Sequence, residues 1–138
     1  METKDWFQEG YDWSKKGDYS KAIECYDKAI EINPNDADVY FSKGSALQSL
    51  GKHKAAIECY DKVIELEPDY ANAYGIKGNA LQALGRYEAA IECYDKTIEL
   101  SPDLAPAYRE KGDALQALGR YEVAIECYDS TFASISTC

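Results

Sequence analysis

Histidine is almost absent: His53 is the only one in 138 residues. One imidazole cannot build most acid–base sites, and no HExxH, CxxC or nucleophile-elbow stretch stands in for the missing partners. Phosphate-cradling loops of the GxGxxG or GxxxxGK kind are lacking too. No apolar run approaches the ~20 residues that span a bilayer, and the opening METKDWFQEG carries no secretory-type apolar stretch. The expected compartment is therefore the cytoplasm, where cysteines stay reduced. Positive charge is scarce, with 15 Lys and Arg against 25 Asp and Glu and a net charge of −10. That balance argues against nucleic acid and against an anionic membrane surface as partners. The acidity is spread evenly along the chain, which suits a solvated outer face and favours a basic partner.

What the chain has in abundance is itself. Residues 80–95 read ALQALGRYEAAIECYD and residues 114–129 read ALQALGRYEVAIECYD, identical at fifteen of sixteen positions with an offset of 34. Weaker copies are KKGDYSKAIECYD at 15–27 and SLGKHKAAIECYD at 49–61. Such self-similarity decides the architecture before any other signal. Gly17, Gly51, Gly85 and Gly119 keep the same period. So do Gly10, Gly44, Gly78 and Gly112, then Ala22, Ala56, Ala90 and Ala124, then Tyr26, Tyr60, Tyr94 and Tyr128, and Pro34, Pro68 and Pro102. The units run 3–36, 37–70, 71–104 and 105–138, making 1–138 a single domain.

Within a unit, apolar residues recur at three- and four-residue steps, as in Tyr40, Gly44, Leu47 and Leu50. Gly51 and its counterparts fall where a first helix must stop on a left-handed residue. Pro68 and its counterparts end the second helix, with Asn35, Asp69 and Asp103 as N-caps of the next. The pattern predicts eight helices over 4–16, 19–32, 37–50, 53–66, 71–84, 87–100, 105–118 and 121–133. Glycines 10, 44, 78 and 112 lie inside helices, where each costs about 1 kcal/mol relative to alanine. Close approach of the paired helix is the expected compensation, with Ala22, Ala56, Ala90 and Ala124 as the small surface opposite.

With an aromatic at Trp6, Tyr40, Tyr74 or Tyr108 and the pairs Ala22/Tyr26, Ala56/Tyr60, Ala90/Tyr94 and Ala124/Tyr128, the chain resembles the tetratricopeptide repeat (TPR) family. The leucine expected before the helix glycine is replaced by Glu9, Lys43, Lys77 and Lys111, whose stems can still lie on apolar surface. The resemblance implies an all-α fold, a right-handed α-α superhelix (TPR solenoid) of eight antiparallel helices. It also implies a non-catalytic scaffold for protein–protein interaction, with no cofactor.

The remaining chemistry is bland. His53 takes the phase of Tyr19, Tyr87 and Tyr121 and reads as a substituted helix-start aromatic. Cys25, Cys59, Cys93 and Cys127 recur once per unit, about 10 Å apart by helix packing distances. That is too far for a disulfide or a shared zinc, so they read as buried core thiols. Cys138 ends the chain and is expected to be exposed. The twelve tyrosines read mostly as packing residues whose hydroxyls reach backbone or solvent at helix seams.

In the family, ligands lie on a concave face formed by the first helix of each repeat. Carried over by position, the first unit offers Lys4, Phe7, Gln8, Tyr11, Ser14 and Lys15. The second offers Asp38, Phe41, Ser42, Ser45, Gln48 and Ser49. The third offers Asn72, Gly75, Ile76, Asn79, Gln82 and Ala83, and the fourth Pro106, Arg109, Glu110, Asp113, Gln116 and Ala117. These positions vary while the packing positions repeat, which fits either ligand contact or drift on an exposed surface. Phe7, Tyr11 and Phe41 are the expected apolar anchors, and Asn72, Asn79 and Gln82 the expected hydrogen-bonders to a peptide backbone. Ser45, Gln48 and Ile76 complete the middle, and Arg109, Asp113 and Gln116 give the far end mixed charge. Gly75 either makes room at the groove floor or is simply tolerated.

Chaperone adaptors of the family grip a Glu-Glu-Val-Asp carboxylate with a clamp of lysines, asparagines and an arginine. Here the clamp positions hold Phe7, Tyr11, Ser42, Asn72 and Ile76, or, one unit later, Phe41, Ser45, Ile76, Pro106 and Glu110. Neither set is cationic, so a carboxylate-clamp ligand is not expected. The last unit ends TFASISTC, without proline or a following amphipathic helix. Arrays of this kind need a polar cap. A homodimer or end-to-end stack through the C-terminal helix, using Phe132 and Ile135, is therefore the alternative expectation.

Overall fold

A computed structural model describes residues 2–130 of the chain. Eight helices follow one another among those residues: α1 (Thr3–Lys15), α2 (Tyr19–Ile32), α3 (Ala37–Ser49), α4 (His53–Leu66), α5 (Ala71–Ala83), α6 (Tyr87–Leu100), α7 (Ala105–Ala117) and α8 (Tyr121–Ser130). No strand occurs among them. The bounds of α1 to α7 lie within a residue of those expected from the pattern. The expected end of α8 at 133 lies outside the described residues.

The first helix of each repeat ends as the glycines demand. Gly17, Gly51, Gly85 and Gly119 have φ of 83°, 77°, 77° and 79°. Around Gly51 the amide of Gly51 donates to the Gln48 carbonyl at 2.9 Å and that of Lys52 to the Leu47 carbonyl at 2.9 Å. This is the Schellman pairing that uses up two otherwise orphaned carbonyls. The N-caps differ from expectation. Asn35, Asp69 and Asp103 are not the N-caps; they sit in the turns one residue earlier. The cap of α3 is Asp36, whose side chain accepts from the Asp38 amide at 3.1 Å. The caps of α5 and α7 are Tyr70 and Leu104, neither of which makes a side-chain cap bond. With the proline two places before the cap, Asn35, Asp69 and Asp103 fall between them, one residue short of the position whose side chain bonds the N2 or N3 amide.

The described chain divides after Pro68 into two compact units, each holding two repeats. In the first, α1 packs on α2, α3 on α4, α2 on α3, and α1 also touches α3. In the second, α5 packs on α6, α7 on α8, α6 on α7, and α5 touches α7. The first helices of neighbouring repeats thus share one side of each unit.

Burial follows the repeat. Tyr26, Tyr60 and Tyr94 are 1%, 0% and 0% exposed, and they are the largest side chains wholly enclosed. In the first unit Tyr26 lies with Ala22, Ala29, Val39 and Ala46, and Trp6, Phe7, Trp13 and Tyr19 pack around them. The glycine expectation needs one correction. Ala22 and its counterparts are buried, but what occupies the space over each glycine is a tyrosine ring. A Cβ at Gly44 or Gly78 would lie 2.6 Å from Cε1 of Tyr60 or Tyr94, and one at Gly112 2.7 Å from Cε1 of Tyr128. A Cβ at Gly10 would lie 2.6 Å from Cε1 of Tyr26 and 3.1 Å from the Ala22 carbonyl oxygen.

The lysines that stand where the family has leucine also do more than lie on apolar surface. Lys43 Nζ meets Asp27 Oδ1 at 2.7 Å, and Lys111 Nζ meets Asp95 Oδ1 at 2.5 Å. Each pair joins the first helix of one repeat to the second helix of the repeat before it. Lys111 is 8% exposed. At that burial the stem packs and the ammonium is satisfied by a carboxylate that itself stays half in water, which limits the desolvation cost.

Two glycines three residues apart should respond oppositely to alanine. Gly78→Ala forces a methyl into a fully enclosed ring, an overpacking cost of ~1–3 kcal/mol that outweighs the propensity gain. A Cβ at Gly75 would meet only Thr97 Oγ1 at 3.4 Å and Cγ2 at 3.7 Å. Gly75→Ala should therefore stabilise by ~0.5–1 kcal/mol. Urea denaturation of the two variants checks this, and a Gly78→Ala protein as stable as the parent would refute the ring contact.

Candidate functional site

The hydroxyls of Tyr26, Tyr60, Tyr94 and Tyr128 each reach polar side chains on the first helix of the same repeat. Tyr26 Oη lies 3.2 Å from Ser14 Oγ, and Tyr60 Oη donates to Gln48 Oε1 at 2.6 Å. Tyr94 Oη is shared between Asn79 Oδ1 at 2.8 Å and Gln82 Oε1 at 2.7 Å. Tyr128 Oη reaches Asp113 Oδ1 at 2.6 Å and Gln116 Oε1 at 2.9 Å. The partners lie 12 and 15 residues before the tyrosine, the positions already singled out for ligand contact. The polar side chains expected to meet a peptide are thus oriented from the core, with part of their acceptor capacity already engaged. Tyrosines of the first helices do reach backbone: Tyr40 and Tyr108 donate to the carbonyls of Pro34 and Pro102 at 2.9 and 2.8 Å.

In the first unit, Tyr11, Phe41 and Ser45 come together in an open hollow. Ser14, Ser42 and Ser49 share it, and Tyr19 and Tyr26 form part of its wall. Every polar group there is a hydroxyl, and no charged side chain lines it among the described residues. Tyr11 is 47% exposed, with Lys15 Nζ 4.9 Å from its ring centroid. Phe7 instead packs edge-on against Tyr26, with ring centroids 5.9 Å apart. Phe41 lies at 5.9 Å from Tyr60 in a tilted arrangement and keeps one side in the hollow.

In the second unit, Asn72, Ile76 and Asn79 come together in an open hollow. Gly75, Leu104, Pro106, Ala107, Thr97 and Glu110 complete its lining. Burial pushes the Glu110 carboxyl above its usual range, and Asp113 adds to the rise; an Asn79 hydrogen bond and the Arg109 charge oppose it. Asn79 accepts from Tyr94 and lines the hollow together with Glu110. Thr97 is buried, its hydroxyl 3.1 Å from the Cys93 carbonyl and 3.3 Å from that of Ala71. Arg109, Asp113 and Gln116 are exposed. Thr97 and Leu104 were not singled out from sequence. Thr97 carried a usable signal, because it breaks a position held by Ala29 and Val63 in the earlier repeats.

Models of the tetratricopeptide repeat match residues 37–70 and 59–92, and a TPR-repeat model matches 14–51 and 78–119, more than half of the chain. The chain belongs to the tetratricopeptide repeat family. A crystal structure of MamA shares its fold with a TM-score of 0.92 at 27% identity, covering 96% of this chain and 77% of that one. The first TPR domain of Spaghetti (RPAP3), bound to the HSP90 peptide SRMEEVD, gives 0.83 at 29% identity, covering 86% and 94%. An uncharacterised protein of Methanocaldococcus jannaschii is 42% identical over 43 residues, 31% of this chain. That match spans about half the length of the relative.

Cys25, Cys59, Cys93 and Cys127 are free and buried, and burial pushes the Cys59 thiol up to about 11. No group of three or more His, Cys, Asp or Glu able to hold a metal occurs among the described residues. No helix among them is long and apolar enough to cross a membrane. His53 opens α4, at the position its repeat phase assigns, and its Nδ1 is buried without a hydrogen-bond partner among the described residues. Cys138 lies outside the described residues.

The enclosed phenols make the fold sensitive to base. Burial raises Tyr60 to about 12 and, with the Asp113 carboxylate beside it, Tyr128 to about 12. Unfolded phenols ionise near pH 10, so the folded state holds its protons longer. The stability this confers is complete below about pH 10 and is lost as pH rises towards 12, at ~1.4 kcal/mol per unit for the wholly enclosed Tyr60; the partly exposed Tyr128 contributes less, because water screens its partner. Helical circular dichroism followed with phenolate absorbance should show cooperative unfolding in that window. Tyr60→Phe should flatten the slope; an unchanged slope would mean that Tyr60 ionises in the folded state.

Proposed function

We propose that this chain is a non-catalytic interaction scaffold that takes an extended peptide or partner segment along the inner sides of its first helices. The observation that carries the reading is the contrast between repeats: core positions recur every 34 residues, while the hollow-lining residues differ from one repeat to the next. The RPAP3 domain with the same fold holds a peptide, SRMEEVD. An acidic C-terminus is not the ligand proposed here, because the clamp positions carry no cation. A segment with apolar anchors and basic residues suits the serine- and aromatic-lined hollow of the first unit and the net charge of −10. Ordering a short segment costs entropy, so affinity on the order of micromolar is expected.

A second reading, self-association through α8, is favoured by its outer seam. Tyr121, Val123 and Ile125 are 62%, 41% and 58% exposed. The residues equivalent to Tyr121 and Ile125 in the first repeat, Tyr19 and Ile23, pack against the core cluster of their unit. Phe132 and Ile135, expected to carry this role, lie outside the described residues.

A peptide-array screen should yield binders whose affinity falls about tenfold or more in Phe41→Ala or Asn79→Ala, the size of one lost anchor. Binders indifferent to both changes would remove the hollows from the account. Light scattering coupled to size exclusion decides the second reading: a concentration-dependent dimer that Ile125→Lys returns to monomer supports it. A parent protein that stays monomeric at high concentration rules it out.

A further inference from the structure

Among the positions at which the two hollows differ, one holds Phe41 in the first and Gly75 in the second. Phe7 and Phe41 set rings against Tyr26 and Tyr60. Gly75, 34 residues after Phe41, sets nothing there, and the atoms nearest its missing Cβ belong to Thr97. Unlike Gly78, Gly75 has no ring pressed upon it, so its cost to the helix finds no return in packing. The vacated space is walled by Ile76, Leu104 and Pro106, and Glu110 brings the single charge among the described residues lining it. Asn79 lines the hollow with that carboxylate, its own oxygen fixed by Tyr94. Arg109 precedes Glu110 and lies about 100° around the helix from it. It is exposed and does not line the hollow.

An aliphatic wall ending on a partly desolvated carboxylate matches a long side chain with a cationic tip. The stem loses water against the wall, and the head meets a charge that water screens poorly. The geometry points to a subsite in the second unit for one lysine or arginine side chain of a partner segment, its stem on Ile76, Leu104 and Pro106 and its head on Glu110. This rests on the peptide-scaffold reading and names the chemistry that one of its hollows selects. Because the whole chain is acidic, a basic ligand is also drawn to it without any subsite. The test must separate the two.

The probes are N-acetyl-lysine methylamide, N-acetyl-arginine methylamide and, as the uncharged control, N-acetyl-norleucine methylamide, titrated to millimolar concentration into the ¹⁵N-labelled chain. The two cationic probes should produce saturable amide shifts at Ile76, Asn79, Ala107 and Glu110; norleucine should not saturate. Glu110→Gln should abolish the saturable shifts and leave folding intact, because it removes a charge that burial disfavours. Gly75→Leu should abolish them by filling the hollow while raising helix stability. Glu122→Gln, the same charge change on the exposed start of α8, should leave them as in the parent. Equal shifts with norleucine, equal losses in Glu110→Gln and Glu122→Gln, or no shifts at these amides would each overturn the subsite. The peptide-array binders are scored separately. Binders lost in Phe41→Ala but unmoved by Glu110→Gln leave the scaffold reading standing and sink this one.

Discussion

A tyrosine ring laid on a helix glycine is the contact from which the rest of each repeat is set. Because the ring would clash with any Cβ at Gly10, Gly44, Gly78 or Gly112, the two helices of a hairpin meet at the distance the ring allows. That distance fixes where the phenol oxygen emerges, which is among side chains 12 and 15 residues earlier on the first helix. The hydroxyl then orients them. Core packing and the disposition of the candidate site are thus one arrangement, since the residue that closes the core also aims the polar groups facing outward. A ring is suited to both tasks, being apolar over its body and polar at its tip.

How much of this the sequence disclosed depended on range. The period, the helix bounds and the left-handed glycines were legible because each is decided within a turn or two of chain. The caps were misjudged by one residue: Asp69 resembles a cap in composition, but the helix begins at Ala71 and makes Tyr70 the cap. The partner over the glycines was misjudged between two residues four apart, Ala22 and Tyr26, both on the facing side of α2. Only the distance between axes says that the ring, not the methyl, fills the gap. Lys43 with Asp27 and Lys111 with Asp95 were out of reach for another reason, since each pair spans 16 residues and joins different repeats.

Of the expected site, Tyr11, Phe41 and Ser45 gather in one hollow, and Asn72, Ile76 and Asn79 in another. Gln82 was read as a hydrogen-bonder to a peptide backbone, and Gln48 and Gln116 as groove residues, because sequence shows donors and acceptors without their occupants. Each carbonyl has a phenol beside it, so what these side chains offer outward is weighted towards their N–H groups. Phe7 was read as an anchor by its repeat position, yet its edge-on contact with Tyr26 makes it a wall of the core.

The same repeat position therefore does different work in each copy. It holds Phe7, Phe41, Gly75 and Arg109 in turn: two rings that close space, a gap that opens it and an exposed cation. Such freedom exists because the ring-on-glycine contact lies at the next turn of the same helix and carries the hairpin without help from this position. A substitution at Gly78 meets the enclosed Tyr94 ring, whereas one at Gly75 meets the edge of Thr97. The first is limited by packing and the second by helix propensity, which would favour almost any other residue over glycine. Glycine at 75 thus sits against the local preference of its helix in a protein whose other helix-interior glycines all answer to a ring. What it yields in this structure is the space in front of Glu110.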